Sequence, residues 1–307
     1  MTIQQLEYIV AVNKYRHFVS AAEHCGVTQP TLSLMIQKLE SELGVIIFDR
    51  TKHPIEPTVI GFRLVEQAEV SLREMRKLKE MILNETESLA GPLRIGVIPT
   101  LATYLVPEFI HLFTAKYQQV ELIISEMRNG SLIEALNKES IDMIIAATPL
   151  EQTEFYEIPL YYEKFIAYFS PDNPFRDVPL SASNMPQENL WVLQEGHCVR
   201  NQIFNFCQTD MNYNHSFEAG SIETLVRIVD KNGGYSVIPQ LHLAFLSEGQ
   251  KKNVREIKSP PAVREISIVI KKNFIKERLI NAVADTIKAI MPENMLDERL
   301  KKFSIRL

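Results

Sequence analysis

Between Thr58 and Ala90 there is no proline and, after Gly61, no glycine. A run of that length reads as one continuous helix, roughly 45 Å long for thirty residues. It divides the chain into an N-terminal part and a longer C-terminal part that must each find a core. Within it Val65, Ala68, Leu72, Met75 and Ile82 fall at alternating spacings of three and four, and Lys79 is the one break in the stripe. Such a stripe is a heptad seam. An amphipathic helix packed on its own domain carries the same pattern, but a position between two modules favours a dimerising linker helix over residues 58–90.

Residues 1–57 read as short helices with a glycine-containing turn. In FVSAAEHCGVTQPTLSLMIQKLESELG, Ser20 and Glu23 have capping-box spacing, Cys25-Gly26-Val27 supplies a turn, and Thr28 caps a second helix that tolerates Pro30 in its first turn. On that helix Leu32, Ile36, Leu39 and Leu43 share the face expected to be buried. Pro30, Leu34 and Gln37 lie opposite, with Ser33 and Lys38 on the flanks. A polar face at a helix N-terminus suits the major groove: Gln29 and Gln37 can bond base edges, Leu34 or Pro30 can touch a thymine methyl, and Thr28, Thr31 or Ser33 can hold phosphate. A plain capped helical hairpin is the alternative. Residues 1–63 hold six Lys/Arg against six Asp/Glu, so the placement of charge matters more than its sum. Arg50, Lys52 and His53 in FDRTKHPIEPT fall in a turn-rich segment that forms either a wing against the DNA backbone or a solvated loop.

These residues carry a resemblance. AAEHCGVTQPTLS, IQKLESELGVIIFDR and the Thr58-x-x-Gly61 that opens the long helix are similar to the winged helix-turn-helix of LysR-type transcriptional regulators. Leu34 departs from the polar or basic residue that many members carry there. The resemblance implies double-stranded DNA at a promoter operator as a partner, assembly as a homodimer or homotetramer, and contact with RNA polymerase.

After Gly91 and Pro92 the pattern changes to α/β. The apolar runs LRIGVI, VELII and DMIIAA alternate with LVPEFIHLFTAKY and SLIEALNKE, and a second series follows with NLWVL, VRNQIFNF, SIETLVRIVDK and GYSVIP. Two such halves imply parallel strands covered by helices, with a ligand cleft at the strand carboxyl ends. The family resemblance implies a two-lobed, periplasmic-binding-protein-like effector domain over 91–307, with lobe I at about 91–162 and 268–307 and lobe II at about 163–267.

LQEGHCVRNQIFNFCQTD contains Cys198 and Cys207. Their C-x8-C spacing matches no common zinc pattern, so no metal is expected. His197, Arg200 and a helix start each favour thiolate at Cys198, whereas Ile203, Phe204 and Phe206 surround Cys207 with apolar groups. Nine helical positions separate the two by about 13.5 Å on opposite faces, and a disulfide needs Cα atoms within roughly 7 Å. Pairing them requires the helix to unwind, so the bond would act as a switch. Two unrelated cysteines in an α/β core remain the alternative.

GHC-x-R-x-Q-x4-C, IPTLATYLVPE and SIETL are similar to the hydrogen-peroxide sensors of the LysR family. That resemblance implies a peroxidatic thiol at Cys198, a resolving thiol at Cys207, and a peroxide pocket of Thr100, Asn129, His197, Arg200 and Arg264. Asn129 replaces an expected Thr. Thr100 as a simple helix cap and Arg264 as a surface strand residue are the alternatives. A LysR-type regulator with an organic effector and a thiol peroxidase are the rival functions.

Composition limits the rest. A net charge of −5 excludes a uniformly basic nucleic-acid binder, three cysteines are too few for a secreted disulfide scaffold, and no apolar run reaches membrane-spanning length. MTIQQLEYIV lacks the features of a leader, which makes a cytoplasmic protein without membrane contact and without a cofactor the expectation.

Overall fold

A computed structural model describes the chain except residues 86–88, 151, 182–183, 187–188, 195–201, 204–219, 259–260, 273, 275 and 305–307. The side chains of 76–85, 176–177 and 303 are also outside the description. The chain separates into two compact units, Met1–Glu85 and Thr86–Leu307.

The first unit contains α1 (Ile3–Tyr15), α2 (Phe18–His24), α3 (Gln29–Leu43), a two-stranded wing of β1 (Phe48–Asp49) and β2 (Glu56–Pro57), and α4 (Val59–Glu85). Thr2 and Gln5 close a reciprocal capping box on α1, and Thr28 caps α3 ahead of Pro30. The capping box expected from Ser20 and Glu23 does not form. Phe18 is drawn into the core, edge-on to Phe48, so α2 begins at Phe18 with His17 at its cap, and Ser20 instead meets His17 Nδ1 at 3.2 Å.

Leu32, Ile36 and Leu39 are fully buried, each contributing about 1.5–3 kcal/mol of apolar burial. Leu43 is a correction, being 39% exposed. The helix ends there with Gly44 in the left-handed region, and Ile47 and Phe48 after the turn fill the core instead. The seam on α4 also differs from the expectation. Val65 and Ala68 are buried in this unit's own core, where α4 packs along α1, and Met75 is 39% exposed. The first half of the stripe is therefore intradomain packing. Ile82 lies outside the described side chains.

Thr58-x-x-Gly61 has a clear physical basis. Thr58 donates its hydroxyl to the Ile46 carbonyl at 2.7 Å and accepts the Gly61 amide at 3.0 Å. A Cβ on Gly61 would lie 1.9 Å from the Ile47 carbonyl oxygen, so only glycine lets α4 pass this close to the wing.

The second unit is a mixed sheet in two halves. In chain order its elements are β3 (Gly91–Val97), α5 (Pro99–Lys116), β4 (Val120–Glu126), α6 (Asn129–Asn137), β5 (Met143–Thr148), β6 (Phe155–Phe169) and β7 (Leu190–Trp191). They continue with α7 (Ile222–Asn232), β8 (Tyr235–Pro239), a 3-10 turn (Gln240–Phe245), α8 (Glu248–Lys251), β9 (Val254–Glu256), β10 (Val263–Lys271) and α9 (Glu277–Ile290). The strand order is β4-β3-β5-β10-β6-β8-β7, with β9 also paired to β6. β3 runs parallel to β4 and β5, while β10 is antiparallel to β5 and β6. β6 pairs with β10 as far as Lys164 and with β8 from Phe165 onward, so it passes from the first half into the second. This is the two-lobed α/β architecture, joined at β6 and β10.

Candidate functional site

On α3 the residues facing away from the core form one exposed surface: Gln29, Pro30, Thr31, Leu34, Gln37 and Lys38, with Leu34 at 53% exposure. Thr28 is exposed as well, its hydroxyl meeting that of Thr31 at 2.8 Å. Ser33 is half-buried and accepts from Arg50 Nη1 at 3.4 Å. Arg50 is anchored further, by Glu40 at 3.1 Å and by the Phe18 ring. Lys52 and His53 stand exposed at the wing, Lys52 paired with Glu56 at 2.6 Å.

Glu40 was missing from the sequence reading. Its Oε1 accepts the amides of Ile47 and Phe48 at 2.8 and 3.3 Å while Oε2 holds Arg50, so one carboxylate ties the wing to α3. One of two glutamates in ESEL, Glu40 offered no signal for this role. Cys25 is half-buried against the same core, and burial, followed by the Glu7 charge, pushes its thiol pKa up.

In the second unit, α5 and α6 begin just beyond the carboxyl ends of the adjacent parallel strands β3 and β4, and they carry Thr100 and Asn129 respectively. A cavity of about 360 Å³ opens there. Thr100, Tyr104 and Glu126 line it from the first half, with Ser221, Arg227 and His242 among those from the second.

Behind it lies Arg264, which is 0% exposed; it is not a surface strand residue. Its Nε and Nη2 donate to Glu163 Oε2 at 2.9 and 2.7 Å, Nη1 to Thr100 Oγ1 at 3.0 Å, and Nη2 also to the Thr100 carbonyl and Tyr104 Oη. Thr100 is therefore not a helix cap: Ile98 holds that position in α5, without a side-chain bond. Glu163 Oε1 accepts the Leu241 amide at 2.9 Å, from the 3-10 turn of the second half. Burial holds the Tyr104 phenol well above its usual pKa, partly offset by Arg264, so it stays a neutral donor.

Asn129 is half-buried, and its Oδ1 is buried without a hydrogen-bond partner among the described residues. It is not among the residues lining the cavity. Cys198, Cys207, His197 and Arg200 lie outside the described residues. Among the described residues no group of three or more His, Cys, Asp or Glu could hold a metal, and no helix is long and apolar enough to cross a membrane.

An N-terminal reader helix with a wing, followed by a two-lobed α/β unit with a cleft, defines a ligand- or signal-responsive DNA-binding regulator. The chain belongs to the LysR family: residues 3–62 match the bacterial regulatory helix-turn-helix protein family of LysR type, and residues 86–292 match the LysR substrate binding domain. Proteins of this kind are DNA-binding transcription factors and not enzymes.

Its relatives are specific. It is 38% identical to the hydrogen peroxide-inducible genes activator of Haemophilus influenzae over 95% of this chain and 99% of that protein. It is 34% identical to the DNA-binding transcriptional dual regulator OxyR of Escherichia coli K12, over 98% and 99% of the two chains. Among solved structures, a full-length OxyR variant from Pseudomonas aeruginosa matches with a TM-score of 0.75 at 32% identity, covering 94% of this chain and 95% of that one. A hydrogen-peroxide-bound OxyR mutant from Corynebacterium glutamicum matches with a TM-score of 0.64 at 25% identity, covering 100% and 97%.

Proposed function

We propose that this regulator senses hydrogen peroxide through Cys198 and Cys207 and converts their oxidation into a change in how it grips promoter DNA. The observation that carries the reading is the fully buried Arg264, bonded to Thr100 Oγ1 at the cleft. A cation and an ordered hydroxyl at one site suit a reaction in which negative charge develops on oxygen. The relatives named for peroxide induction support the same chemistry.

In this reading the Cys198 thiolate attacks one peroxide oxygen. The S–O bond forms as the O–O bond breaks, giving sulfenic acid and hydroxide, and the hydroxide takes a proton from solvent to become water. The Cys207 thiol then displaces water from the sulfenic acid, forming a disulfide that thiol exchange can reduce. His197 and Arg200 favour the thiolate. Asn129 carries an amide where a Thr hydroxyl is expected and does not line the cleft, so it is given no contact with peroxide. Refolding around the disulfide then reorients partner subunits of a homodimer or homotetramer and their contact with RNA polymerase. On DNA, Thr28, Gln29, Pro30, Thr31, Ser33, Leu34, Gln37 and Lys38 address the groove, with Arg50, Lys52 and His53 at the wing.

The cleft volume of about 360 Å³ favours one second reading, an organic effector held between the lobes. Variants separate the two. Cys198→Ser is expected to abolish the response of purified protein to peroxide. Cys207→Ser is expected to consume peroxide still but stop at sulfenic or higher acids. Equal loss of consumption in both variants, or a response that requires an added organic molecule, would overturn the peroxide reading.

A further inference from the structure

We propose that Glu163 is the positioning residue of the peroxide site: through Arg264 it fixes the Thr100 hydroxyl as a hydrogen-bond donor into the cleft. The inference rests on the peroxide reading above. A guanidinium alone can turn about its stem and offer any edge. Here Glu163 Oε2 engages both Nε and Nη2, and Tyr104 Oη also takes Nη2 and donates to Glu163 at 3.1 Å, which leaves Nη1 directed at Thr100 Oγ1. The carboxylate is held in turn from the second half, by the Leu241 amide.

The consequence falls on one proton. Thr100 Oγ1 accepts from Arg264, and its own hydroxyl hydrogen meets no acceptor among the described residues, while Thr100 lines the cleft. A hydroxyl whose oxygen already receives a charge-assisted bond is polarised toward donation. An incoming peroxide is the acceptor it lacks. The bond strengthens as charge collects on the departing oxygen, the condition under which a fixed donor accelerates a reaction. Thr100 is then the group that touches peroxide, Arg264 sets its direction, and Glu163 sets Arg264.

The test compares full-length wild-type protein with Glu163→Gln and Tyr104→Phe. Two rates are followed at Cys198 across pH: oxidation by hydrogen peroxide in stopped flow, and alkylation by iodoacetamide resolved by peptide. Alkylation needs the thiolate but no oriented hydroxyl, so it reports a general structural or pKa effect. Glu163→Gln is expected to slow oxidation on the order of tenfold, at a pH where the thiol is fully ionised, and to leave alkylation within about twofold. Tyr104→Phe, which removes one anchor from each partner of the pair, is expected to slow oxidation about threefold with alkylation unchanged. It decides the matter alone if Glu163→Gln does not fold. Oxidation and alkylation falling in proportion, or neither falling, would overturn the inference. If wild-type Cys198 ignores peroxide, the peroxide reading falls and this inference with it; wild-type oxidation rates in both variants overturn this inference alone.

Discussion

Glu163 and Arg264 stand directly opposite each other on β6 and β10 and form a salt bridge of 2.7 Å in which neither side chain reaches solvent. The pair sits where β6 exchanges β10 for β8, the point at which the two halves of the effector unit join. Desolvating two charges costs several kcal/mol per ion, and a buried pair regains that only with good geometry and further hydrogen bonds. Thr100, Tyr104 and Leu241 supply those bonds, and each belongs to an element bordering the cleft.

This coupling alters what Arg264→Ala does. From the sequence, that change reads as a loss of charge in the pocket with the fold intact. In the structure it leaves Glu163 buried without its cation, a change expected to cost about 3–5 kcal/mol in urea unfolding. Glu163→Leu combined with Arg264→Met is expected to recover most of that stability while peroxide oxidation stays slow. Recovery of both stability and rate would show that the pair has only a structural role.

Gly61→Ala is expected to destabilise the DNA-binding unit by about 1–3 kcal/mol through overpacking, because its Cβ meets a backbone oxygen that cannot turn aside. Operator binding should weaken with it. A thermal midpoint equal to wild type would show that α4 and the wing can separate without cost.

Separate contributions are expected from the DNA-facing residues. Gln29→Ala should weaken specific binding by about 1–3 kcal/mol and relax one position of the operator, while Lys52→Ala should lower the salt slope with little change in preference. Arg50→Ala should do more than remove a phosphate contact, since it also releases Glu40 and Ser33. Footprints and salt titrations that respond identically to all three substitutions would contradict this division.

Capping and periodicity made much of the first unit legible, because Thr28, Pro30 and the 32-36-39 spacing act locally. What failed was non-local. Ser20 lost its cap to the burial of Phe18, Leu43 lost its place to Ile47 and Phe48, and half of the α4 stripe turned out to face α1. The effector unit's βα alternation was readable, but β6 was not. Pro159 lies inside that strand, at an irregularity of register against Ile266 and Ser267, and Glu163 interrupts its apolar pattern. A buried glutamate looks like a surface residue until the strand bearing Arg264 is known to lie beside it, and Glu163 therefore stayed invisible.

His242 titrates in the cleft wall. Burial lowers its pKa below 6.5, and the Glu223 charge opposes that only in part. The unfolded chain takes up a proton near 6.5 that the folded chain refuses, so stability is full above that pH and is lost as pH falls through the lower folded value. His242→Gln should flatten this loss, read as the unfolding midpoint at pH 7.5 against pH 5.5. An unchanged difference between the two pH values would assign the acid sensitivity to other groups.

Peptide-mapping mass spectrometry of the full-length protein, before and after a brief equimolar pulse of hydrogen peroxide, tests the central claim. The expected product is a Cys198–Cys207 disulfide with Cys25 still a thiol, since burial and Glu7 disfavour the Cys25 thiolate. Oxidised Cys25 beside an unmodified Cys198 peptide would contradict the account.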